Sequence, residues 1–405
     1  MKKILTLALC VASVASISAQ KPVVEQASKL SGKLDKIEDA RTLAQQAIAE
    51  QGTPQQQARA YYVAGKIEFD AFKQRENKKL INPQDPAVDP VEMGYELLNG
   101  YAYYMKAMPL DAVPDEKGKS DKYHKDMAKT LNQRYDAYYA SAAEFYNQKK
   151  YFPEAYNAFM IYGDMPDMEW ADSKIQAVAD TTRALSYYYA GISAYSSNKL
   201  PEAAVALKKA RLNNIKDMQS YIYEIATWQN ISNRDESKAA ESEAMIDEIA
   251  KAGYERFGIQ NLVFINNIAT SLVNKEKYDE ALALIDGQLA KTSNEAGLYS
   301  TRAWIQERKG NEEAAVEDYR KAAEFEGATY DILERAAKKV YNRGSEIWNS
   351  IEGNQPEKRQ EVRVKYFEAA KAFAEKAQAM DPNNGGVDDV LERINYALDT
   401  FFPNK

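Results

Sequence analysis

The 405-residue sequence is almost without cysteine and histidine: it has one of each, Cys10 and His124. Cys10 lies in an apolar N-terminal stretch that we expect to be removed, which excludes disulfides, thiolate nucleophiles and cysteine-bound metals in the mature chain. We interpret His124, in the polar segment DKYHKDM, as a solvated loop residue. A triad, a histidine zinc site or a proton shuttle would instead need it in a cleft with partners.

Other signatures are missing too. There is no P-loop and no dinucleotide-binding fingerprint, so we expect no nucleotide cofactor, and we expect no metal site. Neither sign of charge dominates, with 53 Lys and Arg against 60 Asp and Glu. Because these charges are interspersed along an acidic chain, the pattern argues against binding to nucleic acid or to an anionic membrane. No segment of the mature chain is apolar for long enough to span a bilayer.

The N-terminus, MKKILTLALCVASVASISAQ, has the pattern of a secretory signal peptide. Two lysines precede a short apolar core, and small residues lead to a cleavage site near Ala19-Gln20. Leu9 stands where a lipidation signal needs a small residue, so we favour simple cleavage over a lipid anchor at Cys10. We expect residues 1–19 to be removed and the protein to be exported, to the periplasm, the outer membrane surface or the outside of the cell.

The chain repeats itself at a fixed spacing. Ala281 and Ala315 lie 34 residues apart, each behind a charged turn and ahead of an apolar helical pattern, in NKEKYDEALALIDGQL and RKGNEEAAVEDYRKA. Such self-similarity predicts stacked helix pairs, because one pair cannot bury its own apolar face. Small residues recur where helix backbones would approach, and bulky ones where gaps must be filled. The best-matching segments are 136–166, 184–215, 262–295 and 296–329.

This pattern resembles the tetratricopeptide repeat (TPR). The resemblance implies an all-α fold: a right-handed superhelix, or α-solenoid, of stacked antiparallel helix pairs. The divisions that we predict are a signal peptide (1–19), N-terminal helices forming a partial repeat (20–57), an irregular repeat with a proline-containing insertion and a polar loop (58–135), a regular array (136–329), and a split repeat with a capping helix (330–405).

The irregular parts carry finer predictions. IEDARTLAQQA (37–47) is expected to be the second helix of a pair that lacks its first. Three prolines in 82–90 displace the next second helix to about Val91–Ala107. Residues 111–126 are expected to be a loop, EGNQPEKRQ (352–360) a loop that splits the last repeat, and Val387 to Leu398 the capping helix.

Two sites with chemistry were weighed and set aside. DPNNGGVDDVLE (381–392) places oxygen-bearing side chains at several EF-hand positions. However, Pro382, Gly385 and Asp388 depart from that pattern, and we favour a helix-terminating Pro with Asn or Asp capping the next helix. Paired carboxylates of a helical glycosidase would be the other possibility. Since the acids fall on expected solvent faces without a distinct constellation, we predict that the protein is not an enzyme.

The resemblance also implies a binding surface. In the family, certain positions of each first helix face a concave groove. Here they hold a set that we call the predicted groove residues: Tyr62, Tyr188, Ile192, Tyr195, Asn266, Thr270, Asn274, Trp304 and Arg308. Aromatic and arginine anchors of this kind suit a partner peptide or helix. The simpler alternative is that these tyrosines only cover neighbouring helix edges.

The function implied is a non-catalytic protein–protein interaction scaffold of the cell envelope. Two alternatives remain open at this point. One is glycan binding, with Trp304, Trp348 and Tyr188 stacking on sugar rings; the other is a helical envelope enzyme. A further family mode, which clamps a partner's terminal carboxylate, is disfavoured because Gly297 and Thr301 stand where its basic residues should be.

Overall fold

The computed structural model describes residues 20–50, 52–292 and 295–402. The predicted signal peptide lies outside the described residues. Every regular element in the described ranges is helical, with no strand, so the all-α prediction is confirmed. None of the helices in these ranges has the length and apolar character needed to cross a membrane.

The chain divides into two compact units, and the division falls between Arg234 and Asp235. The helices of the first unit are α1 (Gln20–Leu30), α2 (Ile37–Ala49), α3 (Pro54–Ile81), α4 (Pro90–Asp111), α5 (His124–Gln133), α6 (Tyr135–Asn147), α7 (Phe152–Asp164), α8 (Ser173–Gln176), α9 (Asp180–Ser196), α10 (Leu200–Leu212) and α11 (Met218–Arg234). The helices of the second unit are α12 (Ala239–Phe257), α13 (Val263–Asn274), α14 (Tyr278–Leu289), α15 (Ala296–Lys309), α16 (Glu312–Glu324), α17 (Tyr330–Ser350), α18 (Pro356–Val362), α19 (Ala369–Met380) and α20 (Asp388–Phe401).

Within each unit, most consecutive helices pack on one another across short turns, which makes them antiparallel pairs. The pair α15–α16 shows why the repeated residues are needed. Ala303 on α15 and Ala315 and Ala322 on α16 are buried, and Tyr319 fills the space beside them. Alanines let the two backbones approach, and the tyrosine restores interior packing density. The arrangement is one of stacked antiparallel helix pairs, as the repeat predicted.

The turns inside the pairs share one backbone geometry. A residue in the left-handed region follows the first helix each time: Lys149, Asn198, Glu276 and Gly310. In three of these turns, the next backbone N–H donates to the carbonyl five residues earlier, at 2.9 Å, from Lys199 to Ala194, from Lys277 to Leu272 and from Asn311 to Gln306. This is the Schellman pattern that ends α-helices. The same ending therefore recurs in three pairs of the predicted array.

The N-terminal prediction was wrong in one respect. The helix over 37–47 does not lack its partner, because α1 packs against α2. Val24 and Ala27 of α1 are buried in the same core as Ala40, Ala44 and Ala47. The displaced helix predicted at Val91–Ala107 is confirmed as α4, although it extends further at its C-terminal end.

The predicted loops are shorter than expected. His124 is the first residue of α5 and not a loop residue, because the buried Asp111 carboxylate draws the chain back. That carboxylate accepts the backbone N–H groups of Lys122 (3.1 Å), Tyr123 (2.7 Å) and His124 (2.9 Å). The predicted loop 352–360 is also wrong over most of its length, because α18 begins at Pro356, the favoured first position of a helix.

The C-terminal segment 381–392 is built as a helix junction. The Asp381 side chain accepts the Asn383 N–H at 3.3 Å, and the Asn384 side chain accepts the Gly386 N–H at 3.2 Å. Asp388 opens α20 and accepts from the Gln378 amide at 3.0 Å. Within residues 20–50, 52–292 and 295–402, no three His, Cys, Asp or Glu side chains come together in a way that could hold a metal ion.

Two glycines in the second unit offer a matched test of helix packing. A Cβ on Gly344 of α17 would lie 2.5 Å from the Tyr366 Cβ, whereas a Cβ on Gly287 of α14 would meet no atom within 4 Å. We expect Gly344→Ala to lower the free energy of unfolding by about 1–3 kcal/mol through overpacking. Gly287→Ala should raise it by up to ~1 kcal/mol because alanine favours the helix. Urea unfolding followed by circular dichroism measures both, and equal effects would contradict the close approach of α17 to residue 366.

Candidate functional site

A cavity of about 340 Å³ opens among α13, α15 and α17 in the second unit. These are the first helices of successive pairs, and α15 packs beside both of the others. We call this cavity the α13–α17 groove. Its lining consists of Asn266, Thr270, Gly297, Ser300, Thr301, Trp304, Thr329, Asp331, Ile332 and Arg335. Three of the predicted groove residues, Asn266, Thr270 and Trp304, are thus brought together.

Helical spacing explains why these side chains share one face. Asn266 and Thr270 are four residues apart on α13, and Ser300 and Trp304 are four apart on α15. Residues at this spacing lie one turn apart on the same side of a helix. The opposite side of α13, which includes Ile265, is buried in the core of the unit. The core face therefore fixes which side chains face the groove.

A short polar network crosses the groove floor. The Thr301 hydroxyl lies 2.8 Å from the Asn266 Oδ1 and 2.9 Å from the Gly297 carbonyl oxygen. Thr270 donates to the backbone carbonyl of Asn266 at 2.8 Å. The hydroxyl has one proton to donate; when it donates to the Asn266 Oδ1, it orients that amide so that the N–H₂ group points away from Thr301. The network presents hydrogen-bond donors in a fixed position.

The two ends of the groove differ in character. Trp304 is half-buried against the apolar core that contains Ile265 and Ile305, so its indole is held firmly while part of it remains accessible. At the α17 end, Asp331 and Arg335 are exposed and carry opposite charges. The groove therefore combines an aromatic anchor, amide and hydroxyl groups, and a charged end. Aromatic anchors and positioned polar groups are features that interfaces with polypeptide partners commonly use.

The sequence did not indicate the α17 contribution. The repeat pattern does not identify Thr329, Asp331 and Arg335, because the regular array that it predicts ends at residue 329. The Thr329 side chain accepts the Ile332 N–H at 3.5 Å and so begins α17. A threonine cap three residues before an apolar position is a helix-start signal that could have placed this helix.

The remaining predicted groove residues of the second unit lie outside this cavity. Asn274 is exposed at the end of α13, and its amide lies 3.4 Å from the Glu243 carboxylate. Arg308 is exposed near the end of α15. Both side chains are exposed on the helices that line the cavity, but neither lines it.

In the first unit, three predicted groove residues lie on α9. Tyr188 is only 7% exposed. Its burial, with the Asp217 carboxylate nearby, raises the pKa of its hydroxyl well above the usual value. Tyr195 is half-buried, meets the ring of Tyr223 edge-on at 5.7 Å and accepts from the Asn230 amide at 3.1 Å. Ile192, which lies between these two tyrosines on α9, is half-buried. Tyr188 offers little surface to a partner.

Tyr62 is covered by a distant segment. Its ring stacks on Tyr123 at 4.5 Å, and its hydroxyl donates to the Asp126 carboxylate at 2.5 Å. The segment that carries Tyr123 is the one that Asp111 draws back onto the helices. Burial and the hydrogen bond to Asp126 both raise the pKa of Tyr62, so it stays neutral as a donor. The ring and the hydroxyl of Tyr62 are therefore both used in contacts within the first unit.

The three aromatic rings considered for glycan stacking each contact neighbouring side chains or are buried. Trp348 stacks on Phe401 at 4.9 Å and has the Arg359 guanidinium 5.2 Å from its ring centre. Trp304 is half-buried, and Tyr188 is buried. Each ring gives part or all of its surface to neighbouring side chains.

No protein-family model matches the sequence, and no curated protein matches it. Similar solved structures include yeast Tom70, with 14% identity, covering 93% of this chain and 88% of that one at a TM-score of 0.32. The APC/C hetero-tetramer Cut9–Hcn1 has 13% identity, with 93% of this chain and 83% of that one covered, at a TM-score of 0.28. Naa15/Naa10 bound to HypK-THB has 12% identity, with 96% of this chain and 73% of that one covered, at a TM-score of 0.35. Because these identities and TM-scores are low, nothing about the function of this chain is concluded from them.

Proposed function

We propose that this protein is a non-catalytic scaffold of the cell envelope, which holds a segment of a partner protein in the α13–α17 groove. The observation that supports this most is the convergence of Asn266, Thr270 and Trp304 from separate helices on one cavity. The proposed envelope location rests on the N-terminal signal pattern in the sequence.

Recognition would begin at the indole. A partner side chain packing on Trp304 would make apolar contact with a ring that is already half-buried. Aromatic anchors of this kind contribute much of the binding energy at interfaces. The fixed amide of Asn266 would donate to a partner carbonyl. Thr301 contacts the Asn266 amide, and the α13 backbone accepts from the Thr270 hydroxyl. Because these polar groups are already held in place, they lose little conformational freedom on binding.

The groove also has a direction. Asp331 and Arg335 lie on α17, and Asn266 and Thr270 lie on α13. A bound segment that crosses from α13 to α17 would pass from neutral hydrogen-bonding groups to a pair of opposite charges. Charge at one end sets the orientation of a partner more than its affinity.

Selection of peptides from a random display library on the mature protein tests this proposal. We expect selected peptides to bind Trp304→Ala at least roughly tenfold more weakly, as expected for an aromatic hot spot. Thr270→Tyr should have a similar effect, because it fills the groove from an exposed position without removing any core side chain. Circular dichroism would verify that both variants retain their helices.

Asn274→Ala and Arg308→Ala are the matched controls, since both residues lie on the same helices but outside the cavity. Peptides should bind these two variants as they bind the wild type. If Trp304→Ala and Thr270→Tyr retained full affinity, the partner would be held elsewhere and the groove proposal would be wrong.

A further inference from the structure

A second cavity, of about 400 Å³, lies in the first unit among α2, α3 and α4. We call it the α2–α4 cavity. Its floor is apolar, formed by Ala44, Ala64 and Ile67, and the rings of Tyr95 and Tyr103 are part of its lining. Its volume falls within the range of ~300–1,000 Å³ that is typical of ligand pockets. It shares no residue with the α13–α17 groove.

A buried cluster of charges lies at one end of this cavity. The Arg41 guanidinium contacts the Glu68 carboxylate at 2.7 and 3.1 Å, and both groups line the cavity. Behind them, the Arg75 Nε donates to Glu96 at 2.9 Å, and Arg75 also pairs with Glu92. Glu68 is 3% exposed and Glu96 is fully buried. Such burial is costly unless every charge is matched.

The charges in the cluster do not balance. Arg41 and Arg75 face the carboxylates of Glu68, Glu92 and Glu96, and Arg41 also contacts Glu38 at 2.7 Å on the solvent side. Acidic groups therefore outnumber the guanidinium groups. One Glu96 oxygen is buried without a hydrogen-bond partner in the structure. An additional cation at the open side of this cluster would relieve the excess of negative charge.

Glu92 provides the place where such a cation would bind. It lines the cavity and its side chain is partly exposed; Arg75 pairs with it from behind, and the Arg41 guanidinium, which also lines the cavity, lies 3.9 Å away. The carboxylates do not converge tightly enough to hold a metal ion within the described part of the chain. A larger cation with an apolar body matches the lining better, because tyrosine rings and an apolar floor favour the methylene groups and the charge of an alkylammonium.

The mouth of the cavity carries uncharged polar groups. Gln45 donates to the Tyr103 hydroxyl, and Asn99 is exposed on α4. An amine on a flexible chain would direct its ammonium group to Glu92 and Glu68, lay its methylenes on Ile67 and leave its other end near these amides. We propose that the α2–α4 cavity binds a primary aliphatic amine, as a free diamine or as a lysine side chain.

Calorimetric titration of the mature protein with cadaverine and with Nα-acetyl-lysine amide tests this inference, and pentanediol is the neutral control of similar length. We expect at least one amine to bind and the diol not to bind. Glu92→Gln should weaken binding by roughly tenfold or more, equivalent to ~1.4 kcal/mol. Glu38→Gln removes the same charge from a residue that contacts Arg41 but does not line the cavity, and it should leave affinity within about twofold.

Asn99→Trp adds a second, independent test, because it obstructs the mouth without touching the charged cluster. It should abolish binding while thermal unfolding shows the fold to be intact. Binding of cadaverine alone would identify the ligand as a free amine, and binding of the lysine amide would identify it as a protein side chain; either result supports the site. Absence of binding by both amines, equal binding of the diol, or equal losses in Glu92→Gln and Glu38→Gln would overturn it.

Discussion

Replacing Arg211 by methionine is expected to lower the free energy of unfolding of the first unit by about 3–5 kcal/mol. Arg211 on α10 contacts the Glu224 carboxylate of α11 through two nitrogens, at 2.9 and 3.3 Å. Glu224 is fully buried. Methionine keeps most of the aliphatic packing but removes the guanidinium that contacts this carboxylate at two points, so the buried charge loses that compensation. Urea unfolding monitored by far-UV circular dichroism measures the loss.

Two controls separate the buried charge from other causes. The double variant Arg211→Met/Glu224→Leu removes both charges and should recover most of the lost stability, because apolar pairs often replace buried ion pairs at little cost. Lys36→Met breaks an exposed pair with Asp39 in the same unit and should cost less than ~1 kcal/mol. If the double variant were no more stable than Arg211→Met, the loss would come from packing and not from removing the guanidinium beside the buried carboxylate.

The regular array could be read from the sequence because its determinants are local. Ala303, Ala315 and Tyr319 mark a core face by spacing alone, and that same spacing assigns Asn266 and Trp304 to the other face. Both faces follow from helical periodicity once the repeat frame is known. The same periodicity places Asn266, Thr270 and Trp304 around one cavity, whereas Asn274 and Arg308 lie outside it.

Tyr62 and Tyr188 show what periodicity leaves out. Spacing places a residue on a face of its own helix, but it does not show what a distant segment lays over that face. Tyr62 is covered because Asp111, through three backbone hydrogen bonds, draws Tyr123 onto it. No local pattern contains that contact. Tyr188 is likewise buried, at 7% exposed, although the repeat pattern assigns it to the groove face.

The charged cluster of the first unit was missed for a related reason. From the sequence, Glu68 and Glu96 would be interpreted as ordinary solvated acids. Their neighbours in the chain are buried, however: Ile67 and Phe69 flank Glu68, and Leu97 follows Glu96. A glutamate flanked closely by apolar residues in a long helix is the available signal. What the sequence does not show is the pairing with Arg41 and Arg75, since those contacts join residues on three different helices.

The second large effect that we expect is a pH dependence of stability caused by Glu96. Burial raises the pKa of its carboxyl to about 7 from an ordinary value of 4.5, and the hydrogen bond from Arg75 offsets only part of that rise. Between these two values, the folded state holds a proton that the unfolded state has released. Stability from this group is therefore fully present below the unfolded pKa and is lost as the pH rises through about 7.

Glu96→Gln should remove this dependence, because glutamine resembles the protonated, uncharged side chain. The difference in unfolding free energy between Glu96→Gln and the wild type should grow in favour of the variant by roughly 3 kcal/mol between about pH 5 and pH 8, at ~1.4 kcal/mol for each unit of pKa shift. Urea unfolding across this range measures the difference. Glu68, whose pKa is also raised by burial, acts with the same sign in both proteins and largely cancels. A difference that stays constant with pH would mean that Arg75 compensates the Glu96 charge fully, and that this cluster has no excess of negative charge to relieve.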